Sequence, residues 1–158
     1  MKTATKRLSL LLSILSLFFI SDALMVNTFS QDDVKGLFWN SEKTAHIRIY
    51  RATNGKYYGK IEYMVEPNEA NGKPKKDPEN PNPKLRDRDR MGMVIMNGFE
   101  WNESEQMWEN GTIYDPNNGK TYDGYMKFEG TNKNKLYLRG YVMGMTWLGR
   151  TSEWERIK

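Results

Sequence analysis

The chain has 158 residues, 24 basic and 20 acidic side chains, one histidine and no cysteine. That length is the size of one domain, and without cysteine neither a lipidated cleavage site nor a disulfide-stapled scaffold is available. Lys2, Lys6 and Arg7, against Asp22 alone, lie within residues 1–30, so the remainder carries a net charge of only +2, well short of the basic excess of a nucleic-acid-binding domain.

In chain order the first feature is an export signal. A basic segment from Lys2 to Arg7 precedes an uncharged apolar run from Leu8 to Ile20, which has the length of a secretory core and is too short to span a bilayer. Small residues permit cleavage after Ala23 or after Ser30, and the second is favoured because Gln31 lies just ahead of the first structured segment. The expected location is periplasmic or secreted, with no membrane span after cleavage, leaving residues 31–158 as a single domain.

Alternation of polar and apolar residues then predicts eight strands at about 34–40, 45–51, 56–65, 91–97, 107–114, 121–128, 135–143 and 149–156. His46-Ile47-Arg48-Ile49-Tyr50 shows the pattern, as do Tyr122-Gly124-Met126-Phe128 and Leu136-Leu138. Asn-Gly pairs at 54–55, 71–72, 97–98, 110–111 and 118–119 read as hairpin turns, since a type I′ turn requires positive φ at both central residues. The predicted fold is all-β, an eight-stranded antiparallel up-and-down barrel, which closes just wide enough to be filled or to hold one small ligand. Arg48, Lys60, Glu62, Lys127, Glu129 and Glu153 on the outward faces argue against a lipid-facing wall.

Between the third and fourth strands, residues 66–90 hold Pro67, Pro74, Pro78, Pro81 and Pro83 among many charges. Proline excludes a central strand there, and composition by itself favours disorder. The segment ends in Arg86-Asp87-Arg88-Asp89-Arg90, whose Arg86 and Arg88 are candidates to fold over the barrel mouth and hold a carboxylate or phosphate. His46 has no second His or Cys with which to form a metal site or a nucleophilic pair and is expected on an exposed face. Asp115-Pro116-Asn117-Asn118-Gly119 lacks the ligand spacing of a calcium loop and is expected to be a turn. Met91, Met93, Met96, Met126, Met143 and Met145, with Trp101, Trp108, Trp147 and Trp154, suggest an adaptable interior.

Several motifs occur in order: Gly36-Leu37-Phe38-Trp39; Gly55-Lys56-Tyr57-Tyr58-Gly59-Lys60-Ile61; Asp77, Asn80-Pro81 and Leu85-Arg86-Asp87-Arg88; Trp108, Gly111, Ile113-Tyr114-Asp115-Pro116 and Gly119-Lys120-Thr121-Tyr122; Leu138-Arg139-Gly140; and Trp154. Together, from Gly36 to Arg156, they resemble the bacterial domain of unknown function 2147 family, small exported proteins with a lipocalin-like barrel. The resemblance implies a calycin-type barrel and an exported location, with no established reaction, ligand or cofactor. The first motif has one residue, Phe38, more than the Gly-x-Trp of lipocalins. Matching residues in 77–88 imply that the C-terminal half of the long loop packs on the barrel.

The expected function is binding of a small amphipathic or anionic molecule without catalysis, through Arg86, Arg88, Trp108, Tyr114, Tyr122 and Arg139. Trp39, Asp77, Asn80, Pro81, Asp115, Pro116, Gly119, Gly140 and Trp154 are expected to build turns and corners. The alternatives are an envelope interaction module docking through the loop or a sheet edge and, third, an enzyme using two of Asp77, Asp115 and Asp123. No cofactor, metal or nucleic acid is expected.

Overall fold

Alternating burial along Ala45–Arg51, Tyr57–Met64, Lys120–Phe128 and Lys135–Val142, with small or left-handed residues at most corners, lets the chain close a sheet on itself. The computed structural model describes residues 28–158; the apolar run and the Ala23 cleavage site lie outside the described residues. The strands are β1 (Gly36–Trp39), β2 (Ala45–Arg51), β3 (Tyr57–Met64), β4 (Val94–Asn102), β5 (Met107–Asp115), β6 (Lys120–Phe128), β7 (Lys135–Val142) and β8 (Met145–Ile157). Each pairs antiparallel with its sequence neighbour, and β8 returns to pair with β1, giving the expected closed eight-stranded barrel.

One end is plugged. Residues Gln31–Val34, part of which the alternation had assigned to the first strand, instead form a 3-10 turn capped by Ser30 and Asp33, with Val34 fully buried. The turn is held from below the barrel: the Trp108 indole donates to the Gln31 carbonyl at 2.9 Å and the Tyr57 hydroxyl to Asp32 at 3.0 Å. Arg156 donates to the carbonyls of Asp33, Lys35 and Lys133 while its guanidinium lies 4.5 Å from the Phe38 ring centroid. Phe38 thus faces inward, and Trp39 faces outward against His46, ring centroids 4.0 Å apart. His46 is therefore half-buried rather than exposed, and its Nε2 has no hydrogen-bond partner among the described residues.

Above the plug a dense layer fills the lower barrel. Phe38, Ile49, Tyr57, Met96, Phe99, Trp108, Met126 and Leu136 are all essentially inaccessible to solvent. Large side chains sit over glycines here: a Cβ on Gly111 would lie 2.3 Å from the Phe99 ring, and one on Gly59 would lie 2.6 Å from the Met96 sulfur. Close packing of this kind makes the lower half the stabilising core.

Two expectations about the corners need correction. Asn97-Gly98 lies inside β4, where pairing with β3 shifts register, and Asn110-Gly111 lies inside β5, where pairing with β6 does. Asn110 takes the positive φ of 58° that accommodates an extra residue, so both pairs mark bulges rather than turns. The two-residue turn with positive φ at both central positions is Met143-Gly144, at 53° and 69°, between the paired residues Val142 and Met145.

The proline-rich segment is folded. It forms isolated bridges between Asn68 and Pro74 and between Lys76 and Asp89, with a 3-10 turn at Pro83–Leu85. Composition favours disorder because the segment has almost no apolar residues; polar contacts centred on buried Asp77 replace them.

Candidate functional site

The β1–β2, β5–β6 and β7–β8 connections and the long β3–β4 segment all lie at the end opposite the plug. There the barrel is hollow, with a cavity of about 1340 Å³ open to solvent. Its walls are Ala45, Ile47, Ile61, Ile95, Ile113, Leu138 and Trp154, with Tyr122 and Ser152 adding polar atoms, while Tyr114 borders the hollow with its hydroxyl turned to Asp77 and Asn80. Gly140 belongs to this wall, and a Cβ there would meet its nearest atoms, Tyr122 and Ile113, only at 3.5 and 3.8 Å. Its lack of a side chain leaves the hollow open.

The methionines do not line this space as expected. Met96 and Met126 are in the filled layer below and Met143 is on the outside, while Met64 is the methionine at the cavity wall. Trp154 lines the hollow, but Trp108 is in the plug and Trp147 is exposed.

One cation faces inward at the mouth. In the β7–β8 pairing Leu136, Leu138 and Gly140 stand opposite Trp154, Ser152 and Arg150, and directly opposed residues share a face. Arg150 thus continues the inner row, at the level where apolar wall gives way to solvent. It forms no ion pair or hydrogen bond with any described side chain or backbone group. Lys43 and Lys75 at the same rim are paired with Glu155 and Glu66, and Arg90 is held by the carbonyl of Pro116, Oδ1 of Asn117 and the carbonyl of Lys76.

Asp77, completely buried, organises the long loop. Its Oδ1 accepts from the Tyr114 hydroxyl at 2.7 Å, and its Oδ2 accepts from Asn80 Nδ2 at 2.7 Å and from Arg88 Nε and Nη2, each at 2.9 Å. Burial alone would raise the Asp77 carboxyl pKa, yet hydrogen bonds from Tyr114, Asn80 and Arg88, with the Arg88 charge, hold it below its ordinary value. Burial and the neighbouring Asp77 carboxylate push the Tyr114 hydroxyl up. Such a carboxylate stays ionised and is poorly suited to act as a general acid near neutral pH.

Of the six residues proposed from sequence to contact a ligand, Tyr114 and Tyr122 line the cavity. Arg88 is paired with Asp77 and stacked 5.2 Å from the Tyr114 ring centroid, and Arg86 donates to the Asn80 carbonyl at 2.9 Å. Arg139 spans the outer face to the Thr146 carbonyl and Thr151 hydroxyl, and Trp108 is buried in the plug. These four are engaged away from the hollow, so the geometry brings the predicted set together only in part. Among the corner residues, Asp115 accepts from the Asn117 and Asn118 side of its turn, and Pro116 receives Arg90. Pro81 is exposed beside buried Asn80. Gly119 has φ +69°, and a Cβ there would lie 1.9 Å from the Glu79 carbonyl oxygen; its lack of a side chain lets the loop rest on the β5–β6 hairpin.

Arg150 was missed by sequence reasoning, although counting by twos back from inward-facing Trp154 reaches it. Among the described residues no cluster of His, Cys, Asp and Glu has a metal-binding arrangement, and no helix is long and apolar enough to cross a membrane.

Comparison with known proteins agrees with this architecture. The profile of a family described as "Uncharacterized protein conserved in bacteria (DUF2147)" matches residues 36–156. A solved structure from the human pathogen Helicobacter pylori, described as belonging to the lipocalin family, is similar with a TM-score of 0.67 and 27% sequence identity. The match covers 79% of this chain and 83% of that one. No curated protein matches the chain.

Proposed function

The chain belongs to the bacterial DUF2147 family, and we propose that its lipocalin-like barrel binds a small amphipathic anion without transforming it. The apolar tail occupies the hollow between Ile47, Ile61, Ile113 and Leu138, and the anionic head meets Arg150 at the mouth. Tyr122 and Ser152 supply further polar contacts along the same wall. The observation that carries this reading is the place of Arg150 in the inner row at the solvent-exposed mouth, without a carboxylate partner among the described residues, above a hollow walled by Ile47, Ile61, Ile95, Ile113 and Leu138. Apolar walls with a few placed polar groups are the usual make-up of a small-molecule site, and a guanidinium matches carboxylate or phosphate through paired donors.

The expected periplasmic or secreted location is part of the proposal and would place the barrel among lipids and envelope metabolites. Calorimetric titration with dodecanoate, dodecyl phosphate and dodecyltrimethylammonium tests the binding. Both anions should bind, the cation should not, and Arg150→Ala should weaken the anions about tenfold or more, since hydrogen bonds to charged groups contribute about 1.5–3 kcal/mol. Absence of anion binding, or an unchanged affinity in Arg150→Ala, would overturn the proposal.

A further inference from the structure

The β7–β8 hairpin projects at the open end and is apolar where a soluble hairpin tip is ordinarily polar. Met143 is 88% exposed, Trp147 75%, Leu148 49% and Val142 37%. Met143 is also the first central residue of the type I′ turn, at φ 53°. That position suits Asn or Gly and is strained for a long side chain. The hairpin therefore carries a large apolar group at the place where turn conformation selects hardest against one, and leaves that group in water.

Its charge is equally one-sided. From Leu136 to Ser152 the sequence contains Arg139 and Arg150 and no Asp or Glu. Arg139 bonds only to Thr146, Trp147 and Thr151 among the described residues, without a carboxylate. Asp123 touches the hairpin through the Gly144 amide, at 3.2 Å. An exposed Trp, two Met or Leu side chains and flanking arginines form the pattern that partitions into a lipid interface and is drawn to anionic headgroups.

We propose that the Val142–Leu148 hairpin tip docks on an anionic membrane surface, inserting Met143 and Trp147 among the lipid chains, with Leu148 at the adjoining cavity rim, while Arg139 meets the headgroups. The barrel mouth then faces the bilayer. This inference is independent of the ligand proposal, because a barrel with no ligand would dock in the same way, and a ligand-binding barrel need not dock.

The test uses full-length protein and vesicles of phosphatidylglycerol with phosphatidylcholine, some carrying bromine on their acyl chains. Bromine quenches tryptophan only at close range, and the chain has no Trp before Trp39, so any quenched indole belongs to the barrel and the comparison of wild type with Trp147→Phe isolates the tip. Wild-type emission should be quenched, more strongly with phosphatidylglycerol than with phosphatidylcholine alone, and less at high salt. Trp147→Phe should abolish most of the quenching. Met143→Asn improves the turn chemistry, so it should fold at least as well as wild type while binding vesicles at least tenfold more weakly. Absent quenching in wild type, equal quenching in Trp147→Phe, or undiminished vesicle binding by Met143→Asn would each overturn the proposal. So would tip-dependent dimerisation, or tip-dependent capture of a protein, by a chain that ignores vesicles.

Discussion

Replacing Asp77 with Ala should release the long loop from the barrel. The substitution removes the acceptor for the Tyr114 hydroxyl, the Asn80 amide and the Arg88 guanidinium at once. A buried donor left without a partner costs about 1–3 kcal/mol, and breaking a buried ion pair costs about 3–5 kcal/mol. The Arg88 side chain is one-third exposed and water can take over part of its hydration, so the lower part of that range applies. About 3 kcal/mol, at roughly 2–4 °C per kcal/mol for a domain of this size, lowers Tm by about 6–12 °C. Hydrogen exchange should locate the loss: amides of residues 75–90 should exchange faster while those of β5–β7 change little. The lowered Asp77 pKa adds a pH signature. Its contribution is present above the unfolded carboxyl value and is lost as pH falls through the folded one, so wild type should lose its advantage over Asp77→Ala in acid, below about pH 4. A Tm within 2 °C of wild type at neutral pH, with unchanged loop exchange, would refute this account of the loop.

Three further outcomes are expected. Gly119→Ala should destabilise the loop without emptying the core, because the new methyl meets the Glu79 carbonyl and an unfavourable φ; proteolysis should cut within residues 66–90 faster than in wild type. Burial, followed by the Asp32 hydrogen bond, pushes the Tyr57 hydroxyl up to about 12. Its contribution is full below about pH 10 and lost as pH rises through the folded value, so Tm should fall between about pH 10 and 12, less steeply in Tyr57→Phe. The folded domain takes in Phe29 and Ser30, so the cleavage after Ser30 favoured from the sequence gives way to cleavage after Ala23, and N-terminal sequencing of protein from the host should read a start at or before Phe29. Phe29 is buried against Phe128, its amide donates to Gln106, and Ser30 caps the plug turn. A start at Gln31 would contradict that expectation.

The strands were most legible where period-two alternation survives, in β2, β3, β6 and β7, and the barrel follows from eight strands joined, apart from the β3–β4 segment, by short connections. The plug at Gln31–Val34 was not, because a single 3-10 turn is too short to show a period, and Val34 looks like the start of a strand. Asn110-Gly111 reads as a turn in isolation; only pairing with β6 reveals it as a bulge. The loop defeats composition rules because its stability comes from one buried carboxylate, Asp77, rather than from apolar burial. Arg86 and Arg88 were correctly tied to the loop through the motif, but what they touch depends on where Asp77 and Asn80 lie. Arg150 was within reach, since its place in the inner row follows from the parity of Trp154. Sequence could not show that Lys43 and Lys75 at the same rim are paired while Arg150 is not.

The central claim is that the upper barrel is a binding space, and Gly140 offers the most direct test. Its φ is ordinary and its Cβ position is unobstructed, so Gly140→Phe should fold, with Tm within about 3 °C of wild type, while its ring fills the hollow. Calorimetry with dodecanoate should then show binding to wild type and at least a tenfold loss in Gly140→Phe. Equal affinity in the two folded proteins would contradict the account, because the anion would then be binding somewhere other than the cavity between Ile113, Tyr122 and Arg150.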